Sequence, residues 1–170
     1  MRIGLMADTH DRVDAVAELA RRMAAGGVGY VIHAGDFCAP FALKPVQELQ
    51  LALSGVFGRN DGDHQALRAM AMTGLGSELF ESPHSFELLG KSILVVHDLN
   101  EAATRSVESH DIVIHGCTHR EEMKTRGKTL IVNPGEACGW LHGSPTAAIL
   151  DLDTRQVEII KLTEENWSNR

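Results

Sequence analysis

"RIGLMADTH", residues 2–10, is an apolar run that stops on an aspartate and a histidine. A short apolar run bounded by polar turn residues reads as a buried strand. The same plan recurs along the chain. "YVIHAG" (30–35) runs into Asp36, and "LSGVFG" (53–58) runs into Arg59, Asn60 and Asp61. "SILVV" (92–96) ends on His97 and Asp98, and "DIVIHG" (111–116) ends on Cys117 and His119. Between the first strands lie helical patterns. Val13, Val16, Ala20 and Met23 recur at helical spacing over residues 11–25, with Asp11 as the expected N-cap and Gly26-Gly27 as the stop. Further helices are expected around 40–50, after Pro45, and over 63–72. Strand–helix alternation implies parallel βαβ units. The second half turns to hairpins: two strands around Gly90-Lys91, one hairpin turning at Arg126-Gly127, and another near Asp153-Thr154, with a short helix over 100–109. The expectation is an α/β fold with mixed sheets in a single domain, residues 1–170.

Composition narrows what such a fold is for. The chain has 170 residues, 44% hydrophobic and 23% charged, within the range of a globular protein with a real core. No apolar run approaches the ~20 residues of a membrane helix. The N-terminus reaches Asp8 without a cleavage site, so no signal peptide is expected and a cytoplasmic location follows. Three cysteines, an odd number, argue against a disulfide framework. A net charge of −7 disfavours a long nucleic-acid groove. The one basic cluster, "KTRGK" (124–128), reads as a solvated hairpin tip.

The strand ends carry the chemistry. Ligands collect beyond the carboxyl ends of strands in α/β sheets, so residues distant in sequence are expected to converge there. Taken singly, each has a plain structural reading: a helix cap, a turn, a satisfied core histidine. Jointly, Asp8, His10, Asp36, His97, Cys117 and His119 form a metal-ligand set. Their donors suit Zn²⁺, Mn²⁺ or Fe²⁺. A bridging carboxylate ringed by histidines is the arrangement of two-metal hydrolysis. Of the other histidines, His33 and His115 read as packed, and His64, His84, His110 and His142 as surface or loop residues.

"DTH", "GD", the Gly58–Asp61 turn, the strand-end histidine and "G-C-T-H" follow one another in an order that resembles the calcineurin-like metallophosphoesterases, most of all their small bacterial and archaeal phosphodiesterases. "VIHAGDF", "GVFGRNDGD" and "VNPGEACGWLHGSPT" extend the resemblance along the chain. It implies a four-layer αββα sandwich. It also implies that Asp8, His10 and His119 bind a first metal, that Asp36 bridges, and that His97 binds a second. Two positions depart from the pattern. Arg59 stands where the family has a metal-binding asparagine, and Cys117 where it has a histidine. Asp98 replaces a usual glycine. A thiolate serves Zn²⁺ well, whereas a guanidinium offers no lone pair. Arg59 is therefore expected to supply positive charge near Asp36 or to clamp a phosphate oxygen, with Asn60 a substitute ligand.

The resemblance thus implies hydrolysis of a small phosphate ester, a diester or a monoester, by metal-activated water, with Arg59, Asn60 and His97 in catalytic roles. The cofactors implied are divalent ions (Mn, Zn, Fe or Ni), one expected and the second left open. Two other readings stand beside this one. A degenerate member could serve as a binding or scaffold module with one metal or none, as a retromer subunit of the same fold does. Cys117 beside His119 could be a nucleophile, if its thiol were depressed in pKa and accessible. No membrane partner is expected, and a homo-oligomer is left open.

Overall fold

A computed structural model describes residues 1–74 and 76–168. Four parallel strands, β1 (Arg2–Met6), β2 (Tyr30–His33), β3 (Ala52–Val56) and β4 (Glu78–Phe80), open the first sheet. The second sheet holds β5 (His84–Leu88), β6 (Lys91–Val96), β7 (Ile112–His115), β8 (Glu121–Arg126) and β9 (Thr129–Pro134) in the order β5-β6-β7-β9-β8. Its three central strands are parallel and its two edges antiparallel. The chain then returns to the first sheet as β10 (Thr146–Asp151) and β11 (Val157–Lys161), giving the order β11-β10-β1-β2-β3-β4. Helices α1 (Val13–Ala25), α2 (Lys44–Glu48) and α3 (His64–Met72) cover the first sheet, and α4 (Thr104–Ser109) covers the second.

The four layers follow from the period-two alternation of strand side chains. Along β6, Ile93 and Val95 point between the sheets, where they meet Ile3, Leu5, Ile32, Ile114 and Val132. Leu94 and Val96 point the other way, against Val107 of α4. Met6 on β1 faces the opposite side, where Leu19, Met23, Val46 and Leu67 of the helices pack. Leu19 and Leu67 are both fully buried, so truncating either to alanine costs about 2–5 kcal/mol.

Three local expectations are corrected. Asp11 does not cap α1: Arg12 occupies that position without a capping bond, and the Asp11 carboxylate instead accepts from Ala39 N–H at 2.9 Å. The helix near 40–50 begins before Pro45, as a 3-10 turn over Pro40–Leu43, with Pro45 inside the first turn of α2, where its missing N–H costs nothing. The 100–109 helix splits, because Asp98 accepts from Asn100 N–H at 2.9 Å and closes a separate 3-10 turn over Leu99–Glu101. Among the described residues no helix is long and apolar enough to cross a membrane. His33 and His115 are buried, at 1% and 3% exposure. His64 and His84 open α3 and β5 and stack on Phe57 and Phe80, so they belong to elements rather than loops.

Candidate metal centre

The loops after β1, β2, β3, β6 and β7 meet at one end of the two sheets. Ligand atoms of Asp8, Asp36 and His97 all lie within 4.8 Å of one another, and so do those of His10, His119 and Cys138. The groups abut: His10 Nε2 is 3.5 Å from Asp36 Oδ2, and His119 Nε2 is 3.8 Å from Asp8 Oδ1. The rings of His10 and His119 stack with centroids 5.1 Å apart. His97 Nε2 lies 3.4 Å from Asp36 Oδ2.

All three imidazoles are held by their other nitrogen. His97 Nδ1–H donates to the Ala34 carbonyl at 2.8 Å. His119 Nδ1–H donates to Glu136 Oε2 at 2.9 Å. His10 Nδ1 lies 3.4 Å from Cys38 Sγ. The carbonyl of Ala34 and the carboxylate of Glu136 can only accept, so His97 and His119 each keep a proton on Nδ1 and turn Nε2 towards the two aspartates, which is how proteins prepare histidines for metals. His10 Nε2 is buried and has no hydrogen-bond partner. Buried polar atoms are nearly always satisfied, so an orphan at such a focus marks a place for a ligand. Two carboxylates and three imidazole nitrogens form a mixed O/N donor set that fits a divalent transition ion.

The same carboxylates and imidazoles shift one another's proton affinities. Burial pushes the Asp8 carboxyl up to about 6, against the pull of His119 and His97. Burial acts the same way on Asp36, but hydrogen bonds from His97 and Asn60 outweigh it and hold that carboxyl well below the usual range. Burial alone would lower His97, yet Asp36 raises it to about 9. His10 is lowered by burial, which keeps its nitrogen available as a donor.

The backbone here is unusual. Asp8, His10, Asp36, Cys38, Cys117 and His119 all have positive φ, between 39° and 76°. Few non-glycine residues adopt this region, and such strain gathers at functional loops. Two glycines make the close approach possible. A Cβ on Gly35, at φ +94°, would sit 2.7 Å from Gly58 N and 2.8 Å from His97 Nδ1, and one on Gly58 would overlap the Asp36 carboxylate.

The residues of the Arg59–Asp61 turn go separate ways. Asn60 turns inward: its N–H donates to Asp36 Oδ1 and its side-chain amide to Oδ2, each at 2.8 Å. The Arg59 guanidinium turns outward, 59% exposed, to pair with Asp98 and Glu101 rather than Asp36. Cys117 donates its amide to both Asp8 oxygens, at 3.1 and 3.3 Å. Its sulfur falls in neither converging group, and burial raises its thiol pKa. That direction weighs against the nucleophile reading, which needs the opposite shift.

Asn133, Glu136 and Cys138 escaped the sequence reading, and Asp61 was read only as part of the strand-end turn. Asp61 accepts from the N–H groups of Asp36, Cys38 and Gly58, so it pins the Asp36 loop. Asn133 donates to the Gly116 carbonyl and to Thr118 Oγ1, both at 3.0 Å, and so braces the loop of Cys117 and His119. Glu136, 1% exposed, bonds His119, and Cys138 donates to that same carboxylate at 3.4 Å. Glu136 and Cys138 lie in "VNPGEACGW", where a turn-like Gly-Glu gives no hint of burial. Cys138 could have been noticed only by asking where all three cysteines go.

Comparison with known proteins gives concordant results. A model of the calcineurin-like phosphoesterase superfamily domain matches residues 1–155. The chain is 30% identical to phosphodiesterase MJ0936 of Methanocaldococcus jannaschii over 165 residues, covering 95% of this chain and 99% of that one. It superposes on the solved structure of an archaeal phosphodiesterase with a TM-score of 0.88 at 30% identity, covering 95% of this chain and 100% of the other. The phosphoesterase Yfce of E. coli gives 0.69 at 14% identity, over 94% and 98% of the two chains, a likeness of fold alone.

Proposed function

The chain belongs to the calcineurin-like phosphoesterase superfamily, and from that premise we propose that it is a metal-dependent phosphodiesterase acting on a small phosphate ester. The observation that carries this reading is the convergence of three imidazole Nε2 atoms on the carboxylates of Asp8 and Asp36, with His10 Nε2 buried and unpartnered.

In this reading Asp8, His10, Asp36 and His119 hold the first ion. Asp36 and His97 would hold a second, with Asn60, bonded to Asp36, beside the altered position at Arg59 and Cys117 at the other altered position. When bound, divalent ions supply positive charge to the phosphate oxygens and acidify the attacking water. The protein's own part is orientation. Ala34 fixes His97 and Asn60 fixes Asp36, so neither has to reorganise as the phosphorus changes geometry. Arg59, held at the rim by Asp98, presents a planar donor fork to a phosphate oxygen of the substrate. A thiolate at Cys117 would tilt the second position towards Zn²⁺.

The test is hydrolysis of an aryl phosphodiester. Turnover should appear with added Mn²⁺ or Zn²⁺ and stop on chelation. Absence of turnover with every divalent ion, at high enzyme concentration, would overturn the proposal.

A further inference from the structure

Glu136 is one of the most heavily engaged carboxylates in the molecule, and its partners fall into two sets. Oε2 takes the His119 Nδ1–H at 2.9 Å and the Cys138 thiol at 3.4 Å. Leu141 N–H donates to both oxygens, at 3.1 and 3.0 Å, and His142 N–H donates to Oε1 at 2.5 Å. The residue is 1% exposed. A buried carboxylate is costly unless its oxygens are satisfied, and these are.

The backbone bonds alone would make Glu136 a loop anchor. The bond to His119 does more. A carboxylate can only accept, so it forces the proton of His119 onto Nδ1 and leaves Nε2 as a lone pair aimed at Asp8. It also fixes the ring plane, which stacks on His10 at an interplanar angle of 18°. Carboxylate–histidine–metal triads raise ligand basicity in this way.

We propose that Glu136 is a positioning residue that sets the tautomer and orientation of His119 for a divalent ion. The inference rests on the metal-centre reading above and names a residue that reading does not require. Glutamine at this position cannot satisfy both sets of donors. With its amide oxygen towards His119, its NH₂ meets the N–H of His142. With the oxygen towards the loop, its NH₂ meets Nδ1, which must then accept, and the proton moves to Nε2, where it blocks the lone pair.

Two measurements test this. In competition titrations of Zn²⁺ against a chromophoric chelator, Glu136→Gln should bind the ion roughly 10–100-fold more weakly than the parent. In the ¹⁵N-labelled metal-free parent, NMR should find His119 as the Nδ1–H tautomer, a readout that needs no variant to fold and that a loop anchor would not dictate. Equal affinities, or an Nε2–H tautomer in the parent, would overturn the proposal. A parent that binds no divalent ion overturns the metal-centre reading itself and this inference with it, and the first titration reveals that before the variant is used.

Discussion

Asp61 offers the sharpest test of how the site is held. Its Oδ2 accepts from Asp36 N–H at 3.1 Å and Gly58 N–H at 2.6 Å, and its Oδ1 from Cys38 N–H at 2.8 Å. The residue is 8% exposed, so water cannot freely replace it. Asparagine can put its amide oxygen where Oδ2 was and keep two bonds, but its NH₂ then faces the Cys38 N–H. One stranded buried donor costs about 1–3 kcal/mol. Alanine strands all three, and with partial entry of water the loss should reach about 3–5 kcal/mol, a large share of a typical total of roughly 5–15. Urea unfolding of the metal-free proteins should therefore rank parent, Asp61→Asn and Asp61→Ala in falling order, with the slope against denaturant unchanged. If alanine and asparagine are indistinguishable, or if alanine costs less than about 1 kcal/mol, the carboxylate does not hold the loop.

Two further predictions concern charge. His33 is fully buried, and burial lowers its pKa to about 3. The unfolded chain, with an ordinary pKa near 6.5, takes up the proton first, so this contribution to stability is complete above about pH 6.5 and falls as pH drops towards 3. Between about pH 8 and pH 5 the loss should be about 2 kcal/mol, and His33→Gln should lack that part of the decline; parallel pH profiles for the two proteins would refute it. At the second position, the Arg59 guanidinium pairs with Asp98 and Glu101. Arg59→Asn combined with Cys117→His should raise bound metal towards two ions per chain by elemental analysis, more than the single changes add up to; a parent already holding two ions tightly would show the departures to be ligand swaps.

The parallel core and the ligand-bearing strand ends were legible because their physics is local. Runs such as Ile93–Val96 and Ile112–Ile114 are too short and too apolar to be anything but buried strands, and each stops on a polar residue. β4 was not legible: Glu78 and Glu81 flank only Leu79 and Phe80, and its pairing with β3 decides its form. The sequence places Arg59 and Asn60 side by side, but which faces Asp36 depends on the path of the turn that Asp61 pins. Glu136 was invisible for a similar reason. A glutamate in a glycine-rich loop reads as solvated until the backbone of Leu141 and His142 is seen to close over it.

The left-handed backbone around the site has a consequence for the protein's abundance. Each non-glycine residue held in that region costs roughly 1–2 kcal/mol, less for aspartate and histidine, and seven of them, Asp11 included, crowd this one end of the sheets. A cation that binds only the folded chain adds about 4 kcal/mol at a thousand times its dissociation constant. That is enough to offset two or three such residues. The folded population is then linked by mass action to the free concentration of the ion, and a shift of 1–2 kcal/mol changes steady-state levels several-fold where unfolded chains are degraded. Metal supply would set how much of this protein persists as well as how fast each copy works.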